Sequence, residues 1–222
     1  SLIGVDGQAD ASKTMNTHIH LLEAFTTLYQ VWPDAGLREN LKELLNILQT
    51  RLYSAQRNHL ILYCDDNWNP IGETDSYGHD IETSWLMSEA AAVVGDPVLK
   101  KQVDGQAVKM TRTALKEGLN AEGVMLYEKT PKGMSKKVSW WPQCETIIGC
   151  VNAWQLTGDP LFLDVALKNW TYVKTHFVDN ERGGWFKELS EDGLPLNVPK
   201  VSEWNCPYHN SRLAFELAER LK

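Results

Sequence analysis

One helical plan of about 63 residues runs through this chain three times and begins a fourth time, and no other feature limits the fold as strongly. The stretch "MNTHIHLLEAFTTLYQVWPDAGLRENLKELLNILQTRL" carries apolar residues at helical spacing, breaks at Trp32-Pro33-Asp34, and resumes as a second amphipathic helix. "GHDIETSWLMSEAAAVVGDPVLKKQVDGQAVKMTRTAL" repeats the plan with a break at Gly95-Asp96-Pro97, and "WPQCETIIGCVNAWQLTGDPLFLDVALKNWTYVKTHF" repeats it with a break at Gly158-Asp159-Pro160. Gly-Asp-Pro suits such a break: the glycine ends one helix, the aspartate caps the next, and proline takes its first position. Short β-like runs and turn-rich loops join the units, and "CPYHNSRLAFELAERLK" forms the half unit that ends the chain.

Helix starts near His20, Glu82, Glu145 and His209 are separated by 62, 63 and 64 residues. So regular a period means repeated hairpins, none of which buries its apolar face alone. In each pair the first helix is the more apolar and the second carries a charged face, with Lys100, Lys101 and Asp104 as examples. The first helix is therefore expected inside and the second outside. The expected fold class is all-α: an α/α toroid of the (α/α)6 barrel type, with three and a half of six hairpins present and short β segments in the connecting loops. The chain opens on "SLIGVDGQADASKT" without an initiator Met, so residues 1–222 are expected to be the C-terminal part of a single barrel domain. An open solenoid of the same hairpins is the competing architecture, but its grooves need no cluster of tryptophan and histidine.

Composition narrows the partners. The net charge of -7 argues against nucleic acid, whose affinity comes from clustered Lys and Arg, so Lys132, Lys136 and Lys137 read as a solvated loop. No run of about 18 apolar residues and no leader pattern is present, which makes a membrane partner unexpected and the cytoplasm the default location. Cys64, Cys144, Cys150 and Cys206 show no zinc or C-x-x-C spacing and read as free thiols. Nine tryptophans are a heavy load for 222 residues; most must be core, yet such rings also stack on sugar faces.

In a toroid all inner helices run the same way, so their N-terminal ends line one mouth. The residues hardest to explain as core fall at those ends: Asn16 and His20, His79 and Glu82, Trp140, Trp141 and Glu145, and Trp204 and His209. Asn16 and His20 are spaced i, i+4 and His79 and Glu82 i, i+3, so each pair shares a helix face. Taken one at a time, Asn16 reads as a cap, His20 as a core histidine and Glu82 as a first-turn carboxylate favoured by the helix dipole. Their recurrence in four successive units shifts the balance toward a site. His18, His59 and His176 lack such partners and read as structural or surface residues.

Three chemistries were open to such a cluster. A metal site would use H-E-x-x-H or E-x-x-H spacing, and both are missing. A glycosidase would use Glu82 and Glu145 across a bond and leave three histidines without a role. Histidines on opposite sides of a cavity suit reversible proton transfer near neutral pH, for instance at the acidic carbon beside a sugar aldehyde.

The stretches "NTHIHLLEAFT", "YGHDIETSWL", "WWPQCETIIGCVNAWQLTGD" and "KVSEWNCPYHNSR" together resemble the cellobiose 2-epimerases of the N-acylglucosamine 2-epimerase superfamily over nearly the whole chain. The resemblance implies an (α/α)6 barrel that inverts C2 of the reducing-end glucose of a β-1,4-linked disaccharide without metal or nucleotide cofactor. It implies His79 and His209 as the acid/base pair, His20 as a third essential histidine, and Asn16, Glu82, Trp140, Trp141, Glu145 and Trp204 as substrate-binding residues. Monosaccharide epimerases of the same superfamily are the alternative, an inactive carbohydrate-binding fragment is the non-enzymatic one, and a homodimer is left open. The family also draws an arginine and a tyrosine from inner helices that precede this region, so these 222 residues alone are expected to be weakly active or inactive.

Overall fold

The computed structural model describes residues 2–3, 9–11, 13–202 and 205–222. Among them, seven helices follow in hairpin order: α1 (Met15–Val31), α2 (Ala35–Thr50), α3 (Tyr77–Val94), α4 (Pro97–Gly118), α5 (Trp140–Thr157), α6 (Pro160–Tyr172) and α7 (Tyr208–Arg220). The expected breaks are where the hairpins turn. Gly95 and Gly158 both take left-handed backbone with φ of 71°, and Asp96 and Asp159 cap α4 and α6 through their side chains, each with proline next in line. Asp34 caps α2 in the same way, accepting from the Leu37 amide at 2.9 Å.

Successive odd-numbered helices pack on one another, α1 on α3, α3 on α5 and α5 on α7, while α2, α4 and α6 lie outside them. Burial follows from that arrangement. On α3 and α5 buried residues lie on every face, whereas α1 buries one stripe, Met15, Ile19, Leu22 and Thr26. A helix buried all round needs small side chains where neighbours cross. Where α3 meets α5, a Cβ on Gly149 would lie 2.3 Å from Ile81 Cγ2, so only hydrogen fits. Hydroxyls on these helices turn back on the backbone: Ser84 donates to the Ile81 carbonyl and Thr146 to that of Pro142.

Short antiparallel pairs tie the loops over the helix ends. Lys13–Thr14 pairs with Tyr63–Cys64, Tyr53–Ser54 with His59–Leu60, Lys129–Thr130 with Gly133–Met134, and Val138–Ser139 with Glu188–Leu189. The last of these leads directly into α5. The four cysteines are free, and no helix among the described residues is long and apolar enough to cross a membrane.

One expectation about register needs correction. The inner helices start at Met15, Tyr77, Trp140 and Tyr208, so the last interval is 68 residues rather than 64. His20, Glu82 and Glu145 are sixth in their helices, but Pro207 delays α7, and His209 is only second in it. The sixth position there is Leu213, and Arg212 precedes it.

Candidate active site

A cavity of about 520 Å³ opens at the N-terminal ends of the inner helices. That size falls within the roughly 300–1,000 Å³ of small-molecule sites. Asn16 and His20 reach it from α1, His79 and Glu82 from α3, Trp140 and Trp141 from α5, and His209 from α7. Seven of the nine residues singled out in the sequence therefore share one wall. Glu145 is fully buried and stands behind the wall, against His209, while Trp204 lies outside the described residues.

Trp141 organises the two principal imidazoles. Its ring centroid is 4.7 Å from that of His79 and 5.4 Å from that of His209, so the histidines flank one indole. Gly78 makes this approach feasible, because a Cβ there would sit 2.6 Å from the Trp141 ring.

Each histidine has a distinct backing at Nδ1. His209 donates to Glu145 Oε1 at 2.7 Å, and His20 donates to Glu23 Oε2 at 3.1 Å. Those bonds leave Nε2 as the nitrogen free to give or take a proton. His79 instead pairs with the neutral Ser76 hydroxyl at 2.7 Å. The electrostatics follow. Burial, reinforced by the positive charge of His20 and His209, holds the His79 imidazolium down to about 4. His20 is raised above its ordinary value, chiefly by its hydrogen bond to Glu23. The wall therefore holds one imidazole that is neutral at pH 7 and two set against carboxylates.

Below the wall lies an ion network that the sequence reading did not find. Arg212 Nη2 donates to Glu82 Oε1 at 2.5 Å and Glu145 Oε1 at 2.7 Å, while Nη1 donates to Glu23 Oε1 at 2.8 Å and to the Tyr208 oxygen at 2.5 Å. Tyr208 in turn donates to Glu23, and Trp85 Nε1 donates to Glu145 Oε2 at 2.9 Å. Burial raises the Glu82 carboxyl, and its neighbour Glu145 raises it further. Burial works against the Glu145 charge as well, but Arg212 and His209 outweigh it and hold that carboxyl low. Ligand atoms of Glu82, Glu145 and His209 lie within 4.8 Å of one another, as a metal would require. Arg212 Nη2 donates to both carboxylates and lies 3.4 Å from His209 Nδ1, so a guanidinium supplies the cation at this point.

The outer lip also departs from expectation. Lys137, read as part of a solvated loop, lines the cavity, because the Val138–Ser139 pairing with Glu188–Leu189 swings it across to Glu188 Oε1 at 2.9 Å and over the Tyr127 ring at 4.9 Å. Glu188 itself, with Lys187, Tyr127, Ser139 and Tyr208, completes the lining. The three histidines set aside take no part in it. His18 bonds the Thr14 carbonyl at 2.7 Å, His176 stacks on Tyr172 at 4.0 Å, and His59 is buried against Asp80 at 2.7 Å.

Inner and outer helices around a wall of indole and imidazole place the chain with the (α/α)6 barrel proteins that present a carbohydrate-sized cavity at one end. Cellobiose 2-epimerase from Bacillus thermoamylovorans superposes on it with a TM-score of 0.93 at 34% identity, over 99% of this chain and 56% of that one. A D-mannose isomerase structure shares the fold, with a TM-score of 0.82 at 18% identity over 98% of this chain and 59% of that one. The family profile of N-acylglucosamine 2-epimerase (GlcNAc 2-epimerase) matches residues 4–210, and the chain belongs to that family. Cellobiose 2-epimerase of Bacteroides fragilis is 40% identical to it over 94% of this chain and 54% of that protein. The chain thus spans about half the length of the curated relatives it matches.

Proposed function

We propose that this chain supplies the proton-transfer half of a carbohydrate 2-epimerase acting on the reducing-end sugar of a β-1,4-linked disaccharide. The sugar reacts in its open form, with the carbonyl at C1 making the C2 proton acidic. One imidazole takes that proton, the C2–H electron pair forms the enediolate, and a second imidazole returns a proton to C2 from the other face; the reverse reaction exchanges the roles. His79, neutral at pH 7, is the base when the proton lies on its side, and His209 is the acid opposite. His20 with Asn16 attends the O1 end, where ring opening and enediolate charge need a donor. Glu82 holds the sugar, and Trp140, Trp141 and Trp204 offer ring faces for its C–H groups.

The observation that carries this reading is the pair of differently backed imidazoles flanking Trp141, one against a hydroxyl and one against a buried carboxylate. Family membership and the similarity to proteins named cellobiose 2-epimerase support it. Residues 1–222 are proposed to act as part of one barrel domain, together with the length that the relatives have beyond them. The test is proton NMR of cellobiose incubated in D2O with the full-length protein. Deuterium at C2 together with a mannose-type reducing end is expected; unchanged sugar, or cleavage to glucose, would overturn the proposal. If N-acetylglucosamine or free mannose turned over and cellobiose did not, the substrate assignment would move to the monosaccharides.

A further inference from the structure

Each of the four inner helices contributes to one junction that runs from the buried Glu82, Glu145 and Arg212 to the half-buried Glu23 and the exposed Tyr208: Glu23 from α1, Glu82 from α3, Glu145 from α5, and Arg212 with Tyr208 from α7. Arg212 is 8% exposed and lies over the Trp85 and Tyr208 rings, with its carbon 5.1 and 4.4 Å from their centroids. Three carboxylates around one guanidinium leave an excess of negative charge in a site of low dielectric. Two of those carboxylates, Glu23 and Glu145, are the groups that receive the Nδ1 protons of His20 and His209. Further along the same seam stand Glu89, Glu216 and Arg220, with Arg220 bonded to Glu216 at 2.9 Å.

The geometry points to Arg212 as a positioning residue for the proton transfer: by binding the carboxylates behind His20 and His209, it fixes both imidazoles with Nε2 toward the cavity and keeps either from being locked as a permanent imidazolium. This rests on the epimerase reading for its purpose but not for its physics. With the guanidinium in place, Glu145 Oε1 divides its lone pairs between Arg212 Nη2 and His209 Nδ1, and Glu23 serves Arg212 Nη1 through one oxygen and His20 through the other. Without it, the imidazoles are the nearest cations left to those carboxylates and would hold their protons more tightly. A lysine would keep the charge, but it cannot present two parallel nitrogens to three carboxylates.

The experiment is a proton–carbon NMR titration of the histidine ring ε1 positions in the full-length protein, in Arg212→Met and in Arg212→Lys, with His176, which takes no part in the junction, as an internal control. In Arg212→Met the midpoint of His20 is expected to rise by about one pH unit, read against the His176 signal. A folded Met variant whose His20 midpoint rises by less than that would overturn the proposal and leave Arg212 as a structural tie. Should the Met variant not fold, Arg212→Lys decides: a rise of about half a unit in the His20 midpoint is expected, and an unchanged midpoint overturns the proposal. Because the titrations need no turnover, they can come out as expected even in a protein that epimerises no sugar, in which case the functional reading fails and the charge balance stands.

Discussion

His59 and His209 each bring Nδ1 to 2.7 Å from a buried carboxylate, that of Asp80 in one case and Glu145 in the other. The histidines differ in what lies at the far nitrogen. His59 Nε2 faces Glu117 at 3.4 Å, and its side chain is 2% exposed; His209 is 18% exposed and lines the cavity. Asp80 also accepts from the Leu60 amide at 2.8 Å, so the His59 pair fastens the Tyr53–Leu60 hairpin to the first turn of α3. Both are imidazole–carboxylate pairs set at the start of inner helices. A pair closed at both nitrogens is a strut, whereas one left open on a cavity has a nitrogen free for the proton transfer proposed above.

The largest test of this contrast removes each imidazole in turn. His209→Ala in the full-length protein should lower kcat/KM by about 10³-fold, within the 10²–10⁴ expected for a general acid/base, with little change in urea unfolding. His59→Ala should do the reverse, costing about 3 kcal/mol of stability because Asp80 is left buried without its counter-ion, while the fraction that stays folded turns over at close to the parent rate. Equal losses of stability in the two variants would erase the distinction.

A finer cut is Glu145→Gln, which keeps the shape behind His209 and removes the charge. The carboxylate that orients the imidazole is lost, so kcat should fall about 10–100-fold with KM within threefold. An unchanged kcat would mean that the charge of Glu145 plays no part in what His209 does.

The smallest effect is at the third pair, His20 with Glu23. Burial works against the Glu23 charge, but His20, Arg212 and Tyr208 outweigh it and hold the carboxyl down to about 2. A carboxyl depressed in the folded state adds stability above its ordinary value near 4.5, and that stability is lost as pH falls toward 2. The difference in urea stability between the parent and Glu23→Gln should therefore be full at pH 6 and shrink steadily between pH 4.5 and pH 2. A difference that stays constant across that window would assign Glu23 a packing role alone.

Much of this was legible because it is local. The Gly-Asp-Pro breaks and the inner-helix starts up to Trp140 follow from cap chemistry and apolar spacing, which act within one turn. The wall residues were found because they recur at those starts. Arg212 and Glu23 were missed, although the signal was present: His20 and Glu23, His79 and Glu82, and His209 and Arg212 all share the i, i+3 spacing, and only the middle pair was read as one face. The expected 64-residue interval paired His209 with Glu145 as equivalent positions and so hid the arginine at the place where the other helices carry their charge. Lys137 escaped for a different reason. Its place depends on a two-residue strand pairing with a distant loop, and two residues leave no periodic trace.

Gly149 lies one helical turn beyond Glu145, and Ile81, the residue it nearly touches, immediately precedes Glu82. The missing methyl group thus sets the span between two carboxylates that a single guanidinium nitrogen must bridge. A wedge as small as alanine there would spread α3 from α5 and loosen that bridge without replacing any residue that lines the cavity. Residue 149 is consequently a place where the spacing behind the cavity wall can be adjusted from within the core, out of reach of solvent.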